Sequence, residues 1–293
     1  MTREQIKTIR RTIRFYLIKY FLRSIAQLPT SKIPKLKKLL LKAFFLLGKK
    51  EVEKARRQIP EEFAANKERL IYNMMENSVM TILEILFYDK ITKENPNYSK
   101  FKNWEIIENI LKNGQVPCFL TAHFGNWEVL GYELVKAGID LSVIARANNL
   151  NKMTEFINSF RNKHGMKVIM QNNILEATRL LKQKKPVAIL ADLNARKDGY
   201  QVDFFGHNAS FYSAPVIISV RSKMPLVPIF AERQPDGTFI MEVQEPIQWE
   251  KGESMRDRVQ KIAKIYEKEF TKRPDLWCWY HARYEHAEQG KIQ

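Results

Sequence analysis

An alternation that begins near residue 116 constrains the fold of this chain most. Short apolar runs at 116–122, 141–145, 167–170 and 186–191 are bounded by turn residues and separated by segments of helix length. Runs that stay apolar, rather than alternating with polar residues, suit strands buried on both faces. Helix-length crossovers suit strands that run parallel. The expected fold class is therefore α/β, with a mostly parallel central sheet covered by helices.

Before this region, residues 51–113 are helical in character, with 66–87 the longest pattern and Asn95-Pro96-Asn97 a break. Beyond Asp192 the texture is less regular. A short apolar stretch covers 202–206, a helix is expected from about 210 to 223, and another strand covers 226–231. Asp236-Gly237 supplies the positive φ of a hairpin turn. A basic helix from about 254 to 272 then precedes an aromatic segment, 277–283.

The N-terminus reads differently. Ile6, Ile9, Ile13, Leu17 and Tyr20 recur at spacings of three and four, with Lys7, Arg10, Arg11 and Arg14 between them. A second amphipathic stretch follows Pro34 and stops at Gly48, a C-cap candidate. Such a pair suits an interfacial hairpin, apolar faces in lipid and basic side chains at the headgroups. The alternative is that both stripes pack on the protein's own core. The expected organisation is a membrane-associating region at 1–50 and a larger domain at 51–293. Charges interrupt the apolar N-terminal stretch, so neither a signal peptide nor a spanning helix is expected.

The chain has 293 residues, 45% of them hydrophobic, enough for a substantial core. Lys and Arg total 49 against 32 Asp and Glu, a formal net charge of +17. That excess calls for an anionic partner: nucleic acid, anionic lipid or an acidic carrier protein. The two cysteines, Cys118 and Cys278, sit in apolar surroundings without metal-ligand spacing and read as reduced core residues in a cytoplasmic setting.

The chemistry-bearing residues cluster after the first strong strand. His123 stands at that strand's C-terminal end, Asn126 is an N-cap candidate for a helix at 127–137, and Glu128 falls in the first turn. With Gly125 in the short loop, the carboxylate is expected to fold back toward the imidazole. A carboxylate beside an imidazole fixes its tautomer and raises its basicity, as general-base removal of a hydroxyl proton requires. In open α/β sheets, ligands gather beyond the carboxyl ends of the strands. On these residues alone, a histidine satisfied in a structural network is the stronger reading.

The segment from His123 to Glu128 resembles the His-x-x-x-x-acid signature of the lipid A late acyltransferases, within the lysophospholipid acyltransferase-like superfamily. The resemblance extends through Arg146 with Asn148 and Asn149, Arg161 before Gly165, Asp192 with Gly199 and 202–206, 227–230 with Arg233 and Asp236-Gly237, and the closing Pro274, Trp277, Trp279, His281 and Arg283. It covers roughly 115–284. Departures are Leu193-Asn194 after Asp192, where the family commonly has Gln or His and paired glycines, and Ala147 where a proline often follows the arginine. These bear on the acceptor rather than the reaction class.

The resemblance implies a glycerol-3-phosphate acyltransferase-like fold and a fatty acyl donor carried as an acyl carrier protein or coenzyme A thioester. It also implies an anionic glycolipid acceptor at the cytoplasmic face of the bacterial inner membrane, and no cofactor or metal. His123 and Glu128 would be the catalytic pair. Arg146, Arg161, Asp192 and Asn126 would contact substrate, although Arg161 pairing with Asp192 is an equal expectation, and an N-cap or core role for Asp192 is nearly so. His281 and Arg283 are expected at a solvated basic end, with phosphate binding as the alternative, and Trp277 and Trp279 in the core, with interfacial anchoring second. Other acceptors, such as a phosphatidylinositol mannoside, stay open. A nucleic-acid-binding protein would explain the charge but lacks a recognisable motif. A metallohydrolase built on His123, Glu128 and Asp192 lacks the paired histidines of such sites.

Overall fold

A computed structural model of the chain describes residues 2–145, 151–170, 173–286 and 289–291. Its helices are α1 (Arg3–Gln27), α2 (Ile33–Leu47), α3 (Lys49–Gln58), α4 (Lys67–Glu94), α5 (Glu105–Lys112), α6 (Trp127–Lys136), α7 (Asn151–Lys163), α8 (Ile174–Lys182), α9 (Ala214–Ser222) and α10 (Met255–Lys272). Its strands are β1 (Ser99–Lys102), β2 (Cys118–Thr121), β3 (Ser142–Ala145), β4 (Lys167–Met170), β5 (Val187–Leu190), β6 (Tyr200–Phe204), β7 (His207–Phe211), β8 (Leu226–Arg233) and β9 (Phe239–Val243).

Among the described residues, seven strands form one sheet in the order β1-β9-β8-β2-β5-β3-β4. From β8 to β4 every pairing is parallel, and only β9, with β1 beside it, runs the other way. Side chains leave a strand alternately to its two faces. Cys118 and Leu120 of β2 accordingly enter one buried cluster, with Val187, Ile189 and Phe230, and Phe119 enters the other, with Ala188, Val227 and Ile229. Both faces are covered, so the runs need no polar alternation. The expected Asp-Gly turn joins β8 to β9: Asp236 Oδ1 accepts from the Thr238 N–H and hydroxyl, and Gly237 has a φ of 84°.

Two features differ from expectation. The stretch expected to open a helix near residue 210 begins as β7, whose alternating side chains pair antiparallel with β6, and the helix starts only at Ala214 with Pro215 in its first turn. β1 escapes notice because it is an edge strand with alternate residues exposed and lysines at Lys100 and Lys102.

The N-terminal helices pack on α4, and Ile25 and Leu41 join the same buried cluster as the sheet residues. The stripe on α1 does not pack there. Ile6, Ile9, Ile13, Leu17 and Tyr20 are all exposed, Leu17 at 66%, while Phe15 on the opposite side is buried against Phe156. Among the described residues no helix is long and apolar enough to cross a membrane.

Candidate active site

The centre of the site follows from strand register. β2 lies beside β5 with Thr121 opposite Leu190. Two residues beyond each strand end, at the carboxyl edge of the sheet, stand His123 and Asp192. His123 Nδ1 lies 2.9 Å from Asp192 Oδ1, and the His123 backbone N–H donates to Oδ2 at 3.1 Å. The Trp277 indole N–H donates to the same Oδ2 at 2.8 Å. Asp192 is 1% exposed. Burial opposes its charge, but the His123 imidazole, the indole N–H and His281 outweigh that cost and hold the carboxyl well below the usual carboxylate range. An ionised Asp192 fixes the proton of a neutral His123 on Nδ1. His123 Nε2 has no hydrogen-bond partner among the described residues.

The loop to α6 is held from three sides. Gly125 has a φ of 59°, and a Cβ there would lie 1.7 Å from the Ala231 carbonyl oxygen. Its N–H donates to the Leu276 carbonyl, and its own carbonyl accepts from Thr81 Oγ1. Only glycine fits both the conformation and the approach. Asn126 caps α6 as expected, its Oδ1 accepting from the N–H groups of Glu128 and Val129. Its amide donates to Glu84 Oε2 at 2.8 Å. Glu84 is itself gripped at both oxygens by Arg233, each contact 2.7 Å, within a buried pair. Asn126, expected to touch substrate, is fully buried with its side chain bound to protein on both ends.

Glu128 does fall in the first turn of α6, but its carboxylate turns to Arg161 rather than to His123. Arg161 Nε reaches Oε2 at 3.0 Å and Nη2 reaches Oε1 at 2.5 Å, while Nη1 donates to Asn158. Burial works against the Arg161 charge, and Glu128 more than restores it. Hence the expected contact between Glu128 and His123 is replaced by two pairs, His123 with Asp192 and Glu128 with Arg161. Arg161 does not pair with Asp192. Arg146 lies outside the described residues.

Two spaces meet at these pairs. One is a cleft of about 540 Å³ lined by His123, Arg161, Asn158, Thr154, Tyr212 and His281, with apolar walls from β3 and β5. The other, about 450 Å³, is almost wholly apolar and runs between α1, α4 and α7; Ile18, Leu22, Ile82, Ile85, Phe156 and Phe160 line it, and Glu128 sits on its wall. Trp127 and Ile157 border both. The Trp127 ring stands edge-on to His123 at 4.7 Å.

The final segment was expected to be a solvated basic end and is not. Arg283 is 1% exposed, its guanidinium 3.4 Å from the Phe211 ring centroid. His281 stands in the cleft beside His123. Trp277 and Trp279 are core residues, as expected, and both cysteine thiols are buried, pushed up to about 12 chiefly by desolvation. Among the described residues no three His, Cys, Asp or Glu side chains gather as a metal site. Three participants escape the sequence reading: Glu84, Arg233 as its partner, and the Trp277 N–H. Glu84 signals itself only as a charge in an otherwise apolar helical pattern, whereas Arg233 and Trp277 stand in the segments that carry the resemblance but without any sign of their partners.

Compared with known proteins, residues 3–286 match the family described as bacterial lipid A biosynthesis acyltransferase. No curated protein matches the chain.

Proposed function

The chain belongs to the bacterial lipid A biosynthesis acyltransferase family, and from that premise we propose that it transfers a fatty acyl group from an acyl carrier protein or coenzyme A thioester to a hydroxyl of a lipid A precursor. The work is done at the cytoplasmic face of the bacterial inner membrane. The observation that carries this reading is the junction of two unlike spaces at one base. A polar cleft and an apolar channel meet beside an imidazole whose Nδ1 is held by a buried carboxylate.

In this mechanism the acyl chain lies in the apolar channel. Its α4 wall, from Met74 to Leu86, is about 18 Å long at 1.5 Å per helical residue, a fatty-acyl length. The acceptor headgroup enters the cleft. His123 Nε2 takes the proton of the attacking hydroxyl as the oxygen bonds to the thioester carbon, and Asp192 stabilises the imidazolium that forms. Glu128 serves catalysis through Arg161: with three of its contacts fixed, the guanidinium keeps two N–H groups for an acceptor phosphate or the developing oxyanion. The thiolate then leaves with the proton from His123, giving ester and thiol.

The exposed apolar stripe of α1, flanked by Arg10, Arg11 and Arg14, supports residence at an anionic lipid surface, where it would bury Ile9, Ile13 and Leu17 among acyl chains. The +17 charge favours both an acidic carrier protein and a phosphorylated acceptor. Mass spectrometry of lipid A from a host lacking its late acyltransferases, with and without this gene, tests the proposal. A mass gain of one acyl group is expected. An unchanged lipid A profile alongside acylation of another glycolipid would move the acceptor, and no acylation at all would refute the activity.

A further inference from the structure

The cleft holds a second imidazole to which the mechanism above gives no part. His281 lines the same space as His123, and their ring centroids are 5.4 Å apart at an interplanar angle of 61°. Its position is built in rather than incidental. Upstream, Leu276 accepts from the Gly125 N–H and Trp277 bridges to Phe124, which ties the segment to the His123 loop. Downstream, the Asn194 amide donates to the Ala282 carbonyl at 2.8 Å, which ties it to the strand end that carries Asp192. Among the described residues, the His281 ring nitrogens have no hydrogen-bond partner. A ring clamped on both sides and left unsatisfied toward a cleft is arranged for something that enters it.

We propose that His281 is a catalytic residue whose ring N–H donates a hydrogen bond to the thioester carbonyl oxygen as that oxygen becomes an oxyanion. The inference rests on the acyl-transfer reading above and assigns the group that reading leaves idle. His123 removes the acceptor proton, the new C–O bond forms, and the carbonyl electron pair moves onto the oxygen facing His281. When the pair returns, the C–S bond breaks and the thiolate takes the proton from His123. His281 gives up no proton in the cycle.

The division of labour follows from the surroundings of the two rings. Burial first, then the neighbouring His123, push His281 down to about 4, with Asp192 pulling the other way and Lys54 adding to the fall. A ring so reluctant to accept a proton is a poor base at neutral pH and stays a neutral N–H donor. Neutral donors preorganised toward the site of developing charge are the usual means of stabilising a tetrahedral intermediate. His123 has the opposite arrangement, with Asp192 on its Nδ1.

Steady-state kinetics with an acyl thioester and a lipid A precursor test the assignment in three proteins. His281→Phe keeps the packing and loses the donor; a fall in kcat of about 10²–10³ is expected, with KM for either substrate within twofold. His281→Gln restores an N–H and is expected to regain at least tenfold over His281→Phe. Near-wild-type kcat in His281→Phe, a loss carried by KM alone, or equal losses in the two variants would each overturn the role. Should His281→Phe fail to fold by circular dichroism, the wild-type protein answers with a trifluoromethyl ketone analogue of acyl-coenzyme A, whose hydrate mimics the tetrahedral adduct. A downfield ring N–H resonance from His281 on binding supports the proposal, and its absence overturns it. A wild-type protein that binds and acylates nothing would overturn both this role and the proposed function. An active wild type with an active His281→Phe overturns this role only.

Discussion

At the scale of single residues, the site consists of two carboxylates in different company. Asp192 is fully buried, fixes the imidazole, and takes two N–H groups besides. His123→Ala removes the proposed base and is expected to lower kcat by about two to four decades in a folded protein. Asp192→Asn keeps the shape but frees the tautomer, and a similar fall is expected. The two differ in their effect on stability. The folded-state value of Asp192 lies below its unfolded value, so the stability it contributes is present above about pH 4. It is lost as pH falls through the lowered folded value. Urea unfolding should therefore show wild type and Asp192→Asn most different at neutral pH and converging in acid; a gap that widens on acidification would contradict the assignment.

At the scale of elements, the site depends on how the start of α6 is seated against β8 and α4. The Gly125 loop passes so close to Ala231 that an added Cβ has no room, and its backbone is left-handed. Gly125→Ala is expected to cost about 2–4 kcal/mol and to lower activity with it, measured by thermal melts and turnover. The same seat is braced from below by Glu84 and Arg233, which hold the cap Asn126. Arg233→Met leaves a buried carboxylate without its partner and is expected to cost about 3–5 kcal/mol. Lys102→Met removes the exposed end of a pair with the half-buried Glu242, which keeps Lys272 as a second partner, and is expected to cost under about 1 kcal/mol. Comparable losses in both would show that burial does not set the value of these pairs.

At the scale of the whole molecule, α1 has two faces with separate tasks. One packs inward through Phe15 and lends Ile18 and Leu22 to the apolar channel; the other leaves Ile9, Ile13 and Leu17 uncovered. The helix that closes the apolar channel is therefore the helix proposed to lie in lipid, which would let an acyl chain pass between bilayer and channel without crossing water. Leu17→Asp with Ile13→Asp is expected to cut co-sedimentation with anionic vesicles at least tenfold while leaving the melting temperature unchanged within about 2 °C, since neither side chain packs on the core. Unchanged vesicle binding would assign the stripe to some other partner.

The sequence by itself determined what acts over a few residues. The continuous apolar runs specify strands buried on both faces, Asp236-Gly237 specifies its hairpin, and Asn126 starts α6 two residues before Glu128. Burial period, turn chemistry and capping are local, and they were legible. β1 and the start of α9 were not, because an edge strand and a hairpin half carry weak patterns that pairing partners complete. The partners in the site were decided only in three dimensions. Asp192 faces His123 because β5, and not the next strand in the chain, lies beside β2. Glu128 had its backbone fixed by the cap but its side chain settled by competition, and a bidentate guanidinium outbids a neutral imidazole for a carboxylate. His281 joins the same cleft only because the final segment threads back onto the Gly125 loop. Local chemistry fixes what a residue is able to offer, whereas strand order and chain return fix who receives it.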